Sequence, residues 1–223
     1  MNASSPLNST PLFYAGPVPI SAQVATTWAI MAILIAISAA VTHRLEERPN
    51  RVQLAVESIV LGICEQIRGV INRDPVPYLA LLGTLFIYIA SANLSAIIPG
   101  VHPPTASLET PAALAITVYF SVHYFGIRAH GLKRYLKGYL QPNPLLLPLN
   151  ILSEVTRSFS LMVRLFGNMM SHEFVIMIVF ALAGLLVPIP FLALAILIGL
   201  IQAYIFAILA TVFIGGAVNA DAT

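Results

Sequence analysis

Apolar residues run along this chain in five long blocks, at roughly 24–42, 77–98, 111–127, 145–186 and 191–218. A bilayer core about 30 Å thick is crossed by about 20 helical residues, so each block can form a transmembrane helix. Residues 51–71 repeat differently. Val52, Val56, Ile59, Val60, Ile63, Ile67, Val70 and Ile71 recur at three- and four-residue steps, with Glu57, Glu65 and Arg68 off the stripe. That spacing predicts an amphipathic helix along the membrane interface, its stripe facing lipid or a partner helix. The fourth block is too long for one upright crossing, because about 40 helical residues extend about 60 Å. Two short crossings need a turn, yet no proline lies between Pro148 and Pro188, and the only glycines are Gly167 and Gly184. One long tilted helix is therefore expected. A tight turn at Pro188 and Pro190 and another over-long helix follow. The predicted fold is an all-α polytopic membrane protein with five transmembrane spans plus one interfacial amphipathic helix. The last two spans form a long tilted hairpin. A single membrane domain, 23–218, lies between an exposed N-terminal tail, 1–22, and a short C-terminal tail, 219–223.

Composition strengthens the membrane reading: 58% of the 223 residues are hydrophobic and 9% charged, with a mean hydropathy of +0.88. A soluble domain is about 45–50% apolar and about 25% charged. A disordered chain, a nucleic-acid binder and a disulfide scaffold are excluded; Cys64 is the single cysteine. The tail 1–22 has no Lys or Arg. A cleaved signal peptide needs a basic start, so the tail is expected to be retained.

The distribution of charge sets the orientation. Of eleven Lys and Arg residues, five lie at 44–73 and four at 128–137. The tail, the loop 99–110 and the turn near 188 have none. Basic loops stay in the cytoplasm, so the N-terminus is expected outside and the C-terminus inside. The remaining two, Arg157 and Arg164, interrupt the fourth apolar block.

An arginine at membrane depth costs about 2.5–3.5 kcal/mol on insertion scales, and it keeps its charge at any working pH. Arg164 is too far from either helix end to reach water, so it is expected to face an aqueous cavity or an ionisable partner. Arg157, seven residues earlier, returns to nearly the same face. Glu154 is spaced to pair with Arg157 as a structural ion pair. Asn168 shares the Arg164 face one turn on. Glu173 lies nine residues beyond Arg164 on the opposite face, about 13 Å further along. The helix thus offers a fixed cation at mid-depth and a titratable acid nearer the outside, which suits an ion path in two halves. His172, beside Glu173, can relay protons or simply pack. A zinc-protease motif would need histidine at 176, which is Ile176. In the last block Gln202 is the only strongly polar side chain at mid-depth, with Tyr204 near it, and is expected beside Arg164. Gly199, Ala203, Ala207 and Ala210 form a small-residue stripe suited to close helix packing. Asn93, with Ser91 and Ser95, and His102 and Glu109 in the outer loop, are candidates for an outer vestibule.

The run from Glu154 to Met169, containing Arg164-Leu165-Phe166-Gly167-Asn168-Met169, closely resembles the signature of subunit a of the F-type ATP synthase. Gln202-Ala203-Tyr204-Ile205-Phe206 is similar to its last-helix glutamine motif, and Asn93-Leu94, Pro99 and Leu140-Gln141-Pro142 resemble further landmarks. The resemblance covers about residues 75–215. Three features depart from it. Ser158 stands where proline is common. Ala195 stands where some bacterial members carry a histidine, so His172 is a candidate replacement across the hairpin. The short N-terminal part resembles compact bacterial forms, some of them sodium-linked.

The resemblance implies a non-catalytic subunit of the membrane F0 sector, without cofactor or metal, in a bacterial inner membrane. Its implied partners are a c-subunit ring, peripheral-stalk b subunits and the rest of the complex. Arg164 would take the essential-arginine position and Glu173 the outer half-channel acid. Ions would enter past Glu173, load a ring carboxylate and leave to the cytoplasm after nearly a full rotation. The ion is expected to be H⁺, with Na⁺ as the alternative. The rival from another class is a self-contained secondary transporter, which usually shows internal repeats and broken helices; neither is found here.

Overall fold

The computed structural model describes residues 11–15, 18–43, 51–98, 101, 103–140, 147–183 and 188–219. Its elements are β1 (Pro11–Ala15), β2 (Val18–Ser21), α1 (Ala22–Thr42), α2 (Arg51–Ile71), α3 (Val76–Leu94), α4 (Glu109–His130), α5 (Leu132–Leu140), α6 (Leu147–Ala183) and α7 (Pro188–Val218). Two single 3₁₀ turns, Ser95–Ile97 and Pro104–Ala106, lie between α3 and α4. The protein is an all-α polytopic membrane protein: α1, α3, α4, α6 and α7 are each long and apolar enough to cross a bilayer. Ahead of them β1 pairs antiparallel with β2, so part of the N-terminal tail forms a short ribbon.

α6 is one unbroken helix of 37 residues, about 55 Å long at about 1.5 Å per residue. Pro188 and Pro190, expected to form the turn, instead lie in the first turn of α7. Proline fits there because the first helical N–H groups have no partner within the helix. Residues 184–187, which join α6 to α7, lie outside the described residues.

The core forms where α7 meets α3, α4 and α2. Leu82 and Ile89 of α3, Val118 of α4, Leu161 and Leu165 of α6, and Ala203, Phe206, Ala210 and Ile214 of α7 are all essentially inaccessible. On α7 the buried positions follow the helical period along the face that begins with Gly199. α2 divides along its length. Leu54, Ile59 and Leu61 are exposed, whereas Ile67 and Ile71 enter the core. The later part of its stripe thus takes the expected helix packing. Asn219 Nδ2, just past α7, donates to the Ile71 carbonyl and ties the end of α2 to the end of α7. The elbow between α4 and α5 is Gly131, whose φ of 77° suits a residue without Cβ.

Candidate functional site

Three-residue and four-residue steps along α6 sort its side chains. Leu161, Leu165 and Met169 form the buried stripe, and Leu152, Val155, Phe159 and Val163 stay exposed. Arg157 and Arg164 fall outside the buried stripe and are exposed. Among the described residues Arg164 makes no ion pair or hydrogen bond. It lines a cavity of about 490 Å³ with Ser153, Thr156, Arg157 and Ser160 of α6 and Leu209 and Phe213 of α7.

A larger cavity of about 960 Å³ opens between α4, α5, α6 and the end of α7. Ser153, Arg157 and Phe213 line both cavities, so the two adjoin at one wall. The Arg157 guanidinium stands 5.7 Å from the centre of the Phe213 ring, an attraction worth about 0.5–1 kcal/mol at an exposed site. Lys133 and Arg134 of α5 bring positive charge to the larger cavity.

Glu154 was expected to pair along its own helix with Arg157. The fold brings it to His123 of α4, with 3.2 Å between Glu154 Oε2 and His123 Nε2. Packing of α4 against α6 brings the imidazole across at that level, and Arg157 extends to Phe213. His123 was not singled out from the sequence, although an ionisable residue inside an apolar span marks a functional site by default. Its position near the basic end of the third span masked that signal.

Beyond Arg164 on α6, Asn168, His172 and Glu173 are all half-buried. Gln202 of α7 is 5% exposed, and its Nε2 has no hydrogen-bond partner among the described residues. It lies beside the buried residues Ala203 and Phe206, and no hydrogen bond joins it to Arg164. Tyr204 turns to the other side of α7 and accepts from Gln66 Nε2 of α2 at 2.8 Å.

The outer candidates separate. Asn93 is buried and both ends of its amide are used: Nδ2 donates to the Gly199 carbonyl at 2.8 Å, and Oδ1 accepts from Thr105 Oγ1 at 2.8 Å. It clamps the loop and α7 to the end of α3. A side chain so engaged is not a wall of open water. Ser95 Oγ bonds the Ala92 carbonyl. Glu109 is exposed in the first turn of α4, where a negative charge suits the helix dipole. His102 lies outside the described residues. Among the described residues searched, no group of His, Cys, Asp and Glu is arranged to hold a metal ion.

Comparison with known proteins gives one consistent result. The family described as ATP synthase A chain matches residues 24–215. The chain is 58% identical to ATP synthase subunit a 2 of Bradyrhizobium sp. over 98% of each chain. It is 45% identical to ATP synthase subunit a 2 of Pelobacter propionicus, covering 93% of this chain and 91% of that one. It is 44% identical to ATP synthase subunit a 1 of Hahella chejuensis, covering 95% and 90%.

Proposed function

The chain belongs to the ATP synthase A chain family, and from that premise we propose that it is the stator half-channel subunit of a bacterial F0 sector. In this reading it faces a ring of c subunits and couples proton passage to rotation of that ring. The observation that carries the reading is Arg164: a permanent cation in the middle of an apolar helix, exposed, and without an ion pair among the described residues. The cost of such a charge in lipid calls for an anion from outside the chain, and a carboxylate carried by the ring answers that need.

The steps follow from the charges. A proton enters from the outside past Glu173, with His172 beside it, and neutralises a ring carboxylate. A neutral carboxyl group crosses lipid at far lower cost than a carboxylate. The ring turns until that group reaches the inner cavity, where its proton departs. The resulting carboxylate is drawn to Arg164, whose fixed charge keeps it ionised and bars protons from passing directly between the halves. In this reading Asn168, one turn from Arg164, orients the passing group, and Gln202, whose amide donor is buried, serves the same path from α7. The larger cavity, with Lys133 and Arg134 at its margin, serves as the inner half-channel, which puts α5 in the cytoplasm, the N-terminus outside and the C-terminus inside. Peripheral-stalk b subunits hold the chain still against the ring. The chain itself makes no covalent bond in ATP.

Dependence on the ring separates this reading from a self-contained transporter. Vesicles containing this chain alone should pass no protons under an imposed potential, and vesicles containing the chain with its ring should pass them. Flux through the chain alone would overturn the proposal.

A further inference from the structure

Resting on that half-channel reading, we propose that His123 and Glu154 form a proton-transfer pair in the wall of the inner cavity, handing protons between cytoplasmic water and the region of Arg164. His123 Nδ1 lies 2.9 Å from the Tyr119 carbonyl oxygen. A carbonyl only accepts, so Nδ1 carries a hydrogen in that contact, and Nε2 is the nitrogen that gains or loses a proton. Nε2 is also the atom that faces Glu154 Oε2 at 3.2 Å. A proton between them can reside on either atom, and the pair joins α4 to α6 in both states.

The surroundings suit exchange. The two side chains are 29% and 21% exposed, reachable from the cavity yet held in place. The Tyr119 ring lies 4.6 Å and the Tyr135 ring 6.1 Å from the imidazole, centre to centre, and both brace it. Among the described residues, the other titratable or charged groups lining the cavity are Tyr119 and His130 of α4, Lys133, Arg134 and Tyr135 of α5, and Arg157 of α6. α7 contributes none. Arg157 also borders the Arg164 cavity, so the pair sits in the space next to the one that holds the fixed cation. During synthesis, a proton released from a ring carboxylate travels through cavity water and forms a bond to Nε2 or Oε2. That bond then breaks and the proton passes to water on the cytoplasmic side. During ATP-driven pumping the same transfers run in reverse, and the pair collects protons.

Inverted membrane vesicles carrying the whole complex expose this cavity to the bath, and ATP-driven acidification per assembled complex is measured as bath pH is varied. His123→Gln and Glu154→Gln keep size and polarity but cannot carry the proton. Each should pump nearly as wild type in acid bath, where protons are plentiful, and fall about tenfold below it in alkaline bath, in keeping with the loss of a general acid–base group. Glu154→Asp, which retains an acid, should keep the wild-type profile. Variants that follow wild type at every bath pH, or that lose the same factor at every pH as a purely structural pair would, overturn the proposal. Arg164→Ala in the same assay separates the two ideas. If it is silent while the pair variants follow wild type, only the pair falls. If it pumps normally, the half-channel reading falls and takes the pair with it.

Discussion

Gln202 presents the clearest conflict between stability and use. A buried amide nitrogen without a hydrogen-bond partner costs about 1–3 kcal/mol, whereas an apolar side chain of similar shape carries no such cost. Gln202→Leu is therefore expected to leave the thermal stability of the complex unchanged or raised, and to lower ATP-driven ion transport. Loss of stability with transport intact, measured by thermal inactivation beside vesicle acidification, would make it a packing residue. Arg157 and Arg164 stood out in the sequence because each breaks an apolar run. Their different surroundings did not: Arg157 lies over the Phe213 ring, a neighbour 56 positions away in sequence that no local period can supply. His123 is the converse, a residue whose significance appears only when α4 is laid against α6.

At the scale of elements, α3 and α7 are held by the smallest residue on one and a buried amide on the other. A Cβ at Gly199 would stand 3.0 Å from Asn93 Cβ, and the Gly199 carbonyl accepts from the Asn93 amide. Gly199→Val forces these helices apart and should cost about 1–3 kcal/mol, the usual range for overpacking a core. The complex should then lose pumping at a lower temperature than wild type; an unchanged inactivation temperature would contradict the close approach. Much of this level was legible beforehand. Helical periods, apolar lengths and the small-residue stripe are local properties, and they located α2, the long α6 and the packing face of α7. The role of Asn93 was not legible, because its partners Gly199 and Thr105 come from other elements. Nor was the place of Pro188 and Pro190, since proline serves equally in a turn and in the first turn of a helix.

At the scale of the molecule, the apolar core among the described residues lies where α2, α3, α4 and α7 meet one stripe of α6, and the remaining α6 surface, Arg164 included, faces away from it. A helix so apolar and so little used by its own chain is a surface for lipid or for another protein, and the exposed arginine points to the latter. Two adjoining cavities reach that arginine from the basic end of the molecule, and Glu173 lies beyond it along α6. In the proposed reading, this arrangement gives one side of the membrane a water-accessible route to Arg164 and keeps the acid of the other route separate. In the proposed function Arg164 makes rotation and proton passage one event. The most direct test is ATP-driven acidification of inverted vesicles holding the complete complex, wild type against Arg164→Ala. If Arg164 has that role, wild type acidifies the vesicles and the variant does not, with the complex still assembled. Full acidification by Arg164→Ala would contradict it, and Na⁺ uptake without acidification in wild type would contradict the proton as the coupling ion.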